Sequence, residues 1–105
     1  LRANKPLNNV NVNSIADSLS APLHMQYSFD VANEVIDEMV TVSDDEMKKF
    51  MVFCYKKFKL FLEPACVAGL AALKYKINNK LIGKNTMVIL CGSNIDKKTW
   101  SDLTN

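Results

Sequence analysis

The stretch EPACVAGLAAL, residues 63–73, decides how the rest of this sequence is interpreted. Pro64 suits the first turn of a helix, where its missing N–H costs no hydrogen bond. Small residues recur three or four positions apart and therefore share one helix face: Ala65, Ala68, Gly69 and Ala72. Such a face lets another backbone approach closely. We expect a β-sheet there, and the alternative is a ligand bound at the N-terminus of this helix.

A second helix is predicted on the N-terminal side of this stretch. Ser43 can cap the free backbone N–H groups while the Glu46 side chain reaches back to the N–H of Ser43, which forms a capping box. The pattern predicts a helix over about 44–60. Apolar residues recur there at helical intervals, and we expect them in the core rather than on a cofactor-binding face: Met47, Phe50, Met51, Cys54, Phe58, Phe61 and Leu62.

Two segments carry strand patterns. Residues 86–91 read TMVILC, a nearly unbroken apolar run that Gly92 ends. Continuous hydrophobicity indicates a strand buried on both faces, as in a parallel sheet covered by helices. Residues 38–42, EMVTV, are rich in β-branched side chains and predict a second strand. Further helices are predicted over 29–36 and after Asp96, so the sequence predicts the α/β class.

The predicted elements do not complete a domain. Two strands do not form a sheet that buries itself, so we expect partner strands from elsewhere in a larger protein. The chain also begins at Leu1, in a polar run with five asparagines over residues 1–13. Asparagine bonds its own backbone and interrupts regular structure, so this run is predicted to be a loop or an insert. Both observations predict that the chain is part of something longer.

Composition excludes several classes of protein. The chain has 105 residues, 49% of them apolar, and a net charge of +2, which excludes a wholly disordered tail and allows one domain at most. No apolar stretch approaches the roughly 20 residues of a membrane-spanning helix. Lysines cluster at 56–59 and 74–84 without the aromatic interleaving of RNA-binding proteins. We therefore expect a solvated helix face there, with a phosphate or nucleic-acid surface as the alternative.

Cysteine and histidine usage indicates the compartment. Cys54, Cys66 and Cys91 are odd in number and lack C-x-x-C spacing, so they are predicted to be reduced thiols in a reducing compartment. The single histidine, His24, does not complete a zinc site with cysteines so far apart, and no metal is expected. Residues 1–13 do not resemble a signal peptide.

The candidate site follows the second predicted strand. In open α/β sheets, ligands bind beyond the carboxyl ends of the strands, and Cys91, Gly92, Ser93 and Asn94 lie there. This polar loop carries a thiol, a hydroxyl and an amide, next to a residue without a side chain. The alternative is a buried structural cysteine followed by a turn. The glycine-rich phosphate loop, the dinucleotide fingerprint and a serine–histidine–aspartate set are all absent from the sequence.

A family resemblance adds to this interpretation. Residues 62–73, followed by 88–96, resemble the C-terminal part of the serine/threonine dehydratase family, and residues 14–17 and 40–46 match further segments in the same order. These are fold type II pyridoxal-phosphate enzymes, and serine racemase belongs with them. The resemblance implies that residues 14–105 form the C-terminal portion of such a domain. It also implies an open, mostly parallel sheet with helices on both faces.

The resemblance implies cofactor-binding roles for three residues. Cys91 takes the position that faces the pyridine nitrogen of pyridoxal phosphate, where a neutral group leaves the nitrogen largely unprotonated. Ser18 replaces a glycine whose backbone passes near the cofactor, and Glu63 matches a glutamate near the ring edge, although a helix-start carboxylate is an equal alternative. Ser93 is another departure, since the family has glycine there. No catalytic residue is expected in this chain, because the cofactor-binding lysine and the phosphate loop belong to an upstream motif.

The implied activity is that of the complete protein. It is deamination of L-serine or L-threonine to a 2-oxo acid and ammonia, with serine racemisation on the same scaffold as an alternative. A degenerate relative that acts as an interaction module is the other alternative. The expected partners are an amino-acid substrate, the missing N-terminal part and a second copy in a homodimer, with no nucleic acid or membrane. A cytoplasmic location is expected, and the chain alone is expected to be inactive.

Overall fold

The computed structural model describes residues 5–7, 10–21 and 25–105. It divides into an N-terminal unit that ends at Met39 and a C-terminal unit, Val40–Asn105. The helices are α1 (Gln26–Val35), α2 (Asp44–Phe58), α3 (Ala68–Tyr75) and α4 (Lys97–Thr104). Short 3₁₀ turns cover Asp17–Leu19, Pro64–Val67 and Asn78–Lys80. His24 and part of the asparagine-rich run, residues 1–4 and 8–9, lie outside the described residues.

The N-terminal unit has local hydrogen bonds around one small buried residue. Ala16 is buried, its N–H donates to Ser14 Oγ at 3.1 Å, and its carbonyl accepts from the Ser20 hydroxyl at 2.7 Å. The helix predicted over 29–36 is confirmed as α1, which begins earlier, at Gln26. Its first turn includes a 2.7 Å hydrogen bond from the Gln26 amide to the Asp30 carboxylate. Helix α1 therefore begins with an i, i+4 polar pair, which starts three residues before the apolar pattern that predicted the helix.

Helix α2 begins as its sequence predicts. The N–H of Glu46 donates to Ser43 Oγ at 3.2 Å, and the N–H of Ser43 donates to Glu46 Oε2 at 2.8 Å, which confirms the capping box. The helix ends at Phe58, close to the predicted end. Lys59 takes a left-handed conformation there, with φ of 58°, and its N–H donates to the Tyr55 carbonyl at 3.0 Å.

The core of the C-terminal unit lies where α2 meets the segment from Leu62 to α3 and helix α4. Met47, Met51 and Cys54 of α2 are buried, as the helical stripe predicted, whereas Phe58 is mainly exposed. Leu62, Cys66, Val67, Ala71 and Trp100 are the other buried apolar residues described in this unit besides Pro64. The rings of Tyr55, Phe61 and Trp100 contact one another, with centroids 4.6–5.2 Å apart. Helix α4 begins at the predicted Asp96 cap, whose carboxylate accepts from the N–H of Thr99.

The predicted α/β class is wrong for this structure, and with it the predicted open parallel sheet. Among the described residues there is no β-strand, and the segments 38–42 and 86–91 have no regular secondary structure. Strands are stabilised by hydrogen bonds to partner strands, and neither apolar segment pairs with one here. Met87 and Ile89 are 89% and 76% exposed, so the run predicted to be buried on both faces is not. No helix within the described ranges is long and apolar enough to cross a membrane.

The start of α2 predicts an acid-sensitive contribution to stability. The Lys76 ammonium lies 2.9 Å from Glu46 Oε1, and this hydrogen bond, with that from the Ser43 backbone, lowers the pKa of Glu46 below its usual 4.5. A carboxyl group whose pKa is lower in the folded state stabilises the fold above its unfolded pKa, and this stabilisation is lost as pH falls through the folded pKa. We therefore expect the difference in unfolding free energy between wild type and Glu46→Gln to shrink as pH falls below 4.5.

Urea unfolding at successive pH values measures this difference. Glutamine at position 46 has the length of glutamate and can still accept a hydrogen bond from the N–H of Ser43, so the variant removes only the negative charge. Asp96, whose pKa is lowered chiefly by the Thr99 hydroxyl, is common to both proteins and cancels in the comparison. A difference that stays constant down to about pH 3 would contradict the assignment.

Candidate functional site

The small-residue face of α3 has a neighbour, but the neighbour is a single segment rather than a sheet. A Cβ atom placed on Gly69 would lie 3.1 Å from Val88 Cγ1, so the backbone of α3 and the segment 86–91 approach closely. The expected β-sheet against this face is wrong for the described residues, and the close approach that the structure shows is that of Val88 to Gly69. The contact positions the end of segment 86–91, and with it the Cys91 loop, over the start of the α3 region.

Glu63 and Gly92 form the centre of the candidate site. The N–H of Glu63 donates to the carbonyl of Gly92 at 3.4 Å. The Glu63 side chain occupies the space where a side chain at position 92 would begin, because an ideal Cβ on Gly92 would lie 2.6 Å from Glu63 Cδ. Gly92 has φ of 133°, which side-chain-bearing residues rarely adopt. The loop after residue 91 is therefore held against Glu63 by both backbone and side-chain contacts.

The two cysteines at this site differ in accessibility. Cys91 is exposed, whereas Cys66 is buried, and both are free thiols, as is the buried Cys54. Burial raises the pKa of the Cys66 thiol, and the Glu63 carboxylate and the thiols of Cys91 and Cys54 raise it further. The backbone N–H of Cys91 lowers the pKa of the Cys66 thiol, against these larger effects. Cys66 is joined to this site through Glu63, whose carbonyl accepts the N–H of Cys66 at 3.1 Å.

Sequence reasoning named Cys91 and Glu63 separately but missed the contacts that join them. The sequence predicts that Gly92 ends a strand and belongs to the polar loop after Cys91, and that Cys66 is a reduced thiol. Both residues stand in the quoted motifs, but nothing local in the sequence signals a contact between segments so far apart in the chain. The structure brings Glu63, Cys66, Cys91 and Gly92 together.

Ser18 belongs to the N-terminal unit and is described within that unit alone. It lies in the 3₁₀ turn Asp17–Leu19, where its N–H and its hydroxyl both donate to Asp17 Oδ1, at 2.7 and 3.3 Å. The side chain is exposed. These bonds hold it in a local turn, and its predicted place near the cofactor stays a prediction.

The candidate site is an exposed loop rather than a cavity. A shallow groove of about 380 Å³ lies elsewhere in the C-terminal unit, between α2 and α4. Its lining is Asp45, Lys48, Lys49, Val52, Leu103, Thr104 and Asn105. The groove is open and includes neither Cys91 nor Glu63, so it contributes nothing to the chemistry of the loop.

Comparison with known proteins finds one matching family model and several curated relatives. Residues 1–92 match the family model described as pyridoxal-phosphate dependent enzyme. Phenylserine dehydratase of Ralstonia pickettii is 41% identical over 91% of this chain and 29% of its own length. L-threo-3-hydroxyaspartate ammonia-lyase of Saccharomyces cerevisiae is 34% identical over 86% of this chain and 27% of its own length. Serine racemase of Schizosaccharomyces pombe is 34% identical over 84% of this chain and 27% of its own length.

These comparisons confirm the resemblance found from residues 14–96. The chain spans less than a third of the length of the curated relatives it matches. The family match nevertheless extends over most of the chain, including Ser18, Glu63 and Cys91. The chain therefore belongs to the family of pyridoxal-phosphate dependent enzymes.

Proposed function

We propose that this chain is the C-terminal portion, residues 14–105, of the catalytic domain of an ammonia-lyase that converts L-serine or L-threonine to a 2-oxo acid and ammonia. The observation that carries the proposal is the Cys91 loop, in which an exposed thiol is presented by a backbone packed against Glu63. Relatives named dehydratase or ammonia-lyase support the reaction type, among them L-threonine ammonia-lyase of Thermotoga maritima. The names of other relatives give phenylserine, L-threo-3-hydroxyaspartate, serine and L-threonine as substrates, and we propose serine or threonine as the class of substrate.

The residues of the loop fit pyridoxal phosphate, the cofactor of the family. The Cys91 thiol is exposed and can act as a weak donor or acceptor toward a ring nitrogen. Gly92 adds no side chain of its own, and the Glu63 side chain fills the space where one would begin. In this proposal Cys91 lies at the ring nitrogen and Glu63 lies near the ring edge.

These positions give the cofactor, Cys91 and Glu63 separate roles. When bound, the cofactor supplies the electron sink that loosens bonds at the α-carbon of the amino acid. The Cys91 thiol would face the ring nitrogen as a weak neutral donor, which would not stabilise a positive charge on that nitrogen as a carboxylate would. Such a contact would weaken the electron sink of the cofactor to a degree that suits loss of a β-hydroxyl group. Glu63 positions the loop through its backbone bond to Gly92.

Substitutions of Cys91 in the complete protein test this assignment. We expect Cys91→Ser to keep ammonia release from L-serine or L-threonine within about threefold, because a hydroxyl is also a neutral donor. We expect Cys91→Asp to lower it about tenfold to a hundredfold, because a charge-assisted hydrogen bond of about 1.5–3 kcal/mol would hold the ring nitrogen protonated. Equal activity of the serine and aspartate variants, with equal cofactor content measured by absorbance, would contradict the placement of Cys91.

The chain alone is expected to have no activity. In the family the lysine that binds the cofactor covalently belongs to an upstream motif, and no lysine here matches it. Without that amine there is no group to take the α-proton. Incubation of the pure chain with pyridoxal phosphate and L-serine or L-threonine, followed by an ammonia assay, measures this. Turnover by the chain, with an active relative as the positive control, would refute the expectation.

Serine racemisation is a second candidate, favoured by the relatives named serine racemase in Schizosaccharomyces pombe, Dictyostelium discoideum and Arabidopsis thaliana. Chiral analysis of the products from L-serine separates the two activities, since a racemase yields D-serine and a lyase yields a 2-oxo acid. A non-catalytic relative is the third candidate, motivated by serine at positions 18 and 93 where the family has glycine. The cofactor absorbance band of the complete protein distinguishes it, since a scaffold without cofactor lacks that band.

A further inference from the structure

We propose that Gly69 and Val88 are positioning residues for Cys91, because their contact fixes the register of segment 86–91 against the helical stretch 64–75. This role rests on the proposed function, in which Cys91 faces the ring nitrogen of the cofactor. A Cβ atom on Gly69 would lie 3.1 Å from Val88 Cγ1, which is tighter than ordinary van der Waals contact. Glycine at position 69 therefore admits a valine side chain that the methyl group of an alanine would push away.

The close approach of Val88 accounts for the glycine at position 69. A glycine inside a helix destabilises it relative to alanine, because the glycine backbone loses more conformational freedom on folding. Gly69 lies inside the helical stretch and is not among the glycines with a positive φ, so no turn requires it. Among the described residues, Val88 Cγ1 is the one atom from another segment within 4 Å of a Cβ at this position.

The segment that carries Cys91 is held at two points. Val88 contacts Gly69 at one point, and at the other the carbonyl of Gly92 accepts the N–H of Glu63 at 3.4 Å. Val88 and Gly92 are half-buried, whereas the three residues between them are exposed. The later residue of the segment meets the earlier residue of the helical stretch, so the two run antiparallel. Cys91 lies between the two points, directly before Gly92.

The backbone between the two points of contact has little slack. Four residues, from Val88 to Gly92, span at most about 14 Å when fully extended. The backbone from Glu63 to Gly69 rises about 9–12 Å, since 3₁₀ and α-helices rise about 1.5–2.0 Å per residue. The segment is therefore well extended between its contacts. A shift of Val88 is transmitted toward Cys91 rather than absorbed by a loose loop.

The segment, rather than the helix, yields when position 69 gains a methyl group. Helix α3 is held by its own hydrogen bonds, whereas segment 86–91 has no regular secondary structure. The overlap requires Val88 to move by a few tenths of an ångström, and the Cys91 thiol moves with it. Misplacement of reacting groups by 1 Å lowers a rate by up to about a hundredfold. A loss of about threefold to tenfold is therefore expected for Gly69→Ala.

The experiment uses the complete protein and three measurements. We expect Gly69→Ala to lower ammonia release from L-serine or L-threonine about threefold to tenfold. Titration of the cofactor-free protein with pyridoxal phosphate, followed by absorbance, should show affinity weakened about twofold to tenfold, the value of one neutral hydrogen bond. The urea midpoint of the cofactor-free protein, followed by circular dichroism, should stay the same or rise, because alanine is the better helix former. A merely structural role would lower this midpoint together with the activity.

Val88→Ala tests whether the effect passes through Val88. Without Cγ1 there is nothing for a methyl group at position 69 to overlap, so Gly69→Ala should have no further effect on ammonia release or cofactor affinity in this background. Ile89→Ala shortens the neighbouring side chain and is the matched control, in which Gly69→Ala should keep its full effect. Equal effects of Gly69→Ala in both backgrounds, no effect in wild type, or a urea midpoint that falls with the activity would overturn the proposal.

The positioning role and the proposed reaction can fail separately. If Gly69→Ala weakens cofactor binding through Val88 while the complete protein releases no ammonia from L-serine or L-threonine, the positioning role stands and the proposed function fails. If Cys91→Asp impairs the enzyme while Gly69→Ala changes neither ammonia release nor cofactor affinity, the positioning role fails and the proposed function stands.

Discussion

Gly92→Ala is expected to destabilise the C-terminal unit by about 2–4 kcal/mol. Two effects add at this residue. Its φ of 133° lies in a region that side-chain-bearing residues rarely adopt, and the new methyl carbon would lie 2.6 Å from Glu63 Cδ. Either the backbone must rotate or Glu63 must leave its place, and each movement disturbs the loop that presents Cys91. The fluorescence of Trp100, the single tryptophan, reports urea unfolding of the unit in which this loop lies.

Gly83→Ala is the matched control for this prediction. Gly83 also has a positive φ, of 77°, but a Cβ there meets nothing within 4 Å, so only backbone strain of about 1–2 kcal/mol is expected. The double variant Gly92→Ala with Glu63→Ala should recover part of the loss, because the overlapping side chain is gone. Equal effects of the two glycine substitutions, or strict additivity in the double variant, would show that Glu63 does not occupy the space beside Gly92.

Met51→Ala is expected to cost about 2–5 kcal/mol of unfolding free energy. Met51 is fully buried on the face of α2 that also buries Met47 and Cys54. Truncation removes apolar contacts and leaves a cavity that rigid neighbouring helices fill only in part. Urea unfolding followed by Trp100 fluorescence and circular dichroism measures the change.

Met87→Ala provides the control in the same unit. Met87 is 89% exposed, so its truncation is expected to change stability by less than about 0.5 kcal/mol. Comparison of Met51→Ala with Met87→Ala also tests which apolar residues form the core. A large effect at Met87 with a small effect at Met51 would mean that the burial described for α2 and segment 86–91 is reversed.

The helix starts in this protein follow from local sequence. The Ser43–Glu46 capping box and the Asp96 cap join groups three residues apart, so their geometry is set as soon as the helix turn forms. The buried stripe of Met47, Met51 and Cys54 follows from helical periodicity in the same way. These features were predictable because the interacting groups are neighbours in the chain.

The prediction of a sheet was wrong because a strand depends on a partner strand, which can lie far away in the chain. The composition of segment 86–91 favours a strand, but a strand exists only when a second backbone supplies hydrogen bonds, and no such partner is described here. The same segment instead places Val88 beside Gly69, which uses the close approach that the small residues of α3 allow. Hydrophobicity alone did not reveal that Met87 and Ile89 face outward.

The sequence by itself determined the family, the starts of helices α2 and α4, and the identity of Cys91 and Glu63 as candidate site residues. Motif order and spacing of three or four residues carry that information. Only the tertiary structure decided that Glu63 supports Gly92 and that Val88 lies beside Gly69. Those contacts join segments distant in the chain, and they depend on how α3 and segment 86–91 pack, which no local pattern encodes.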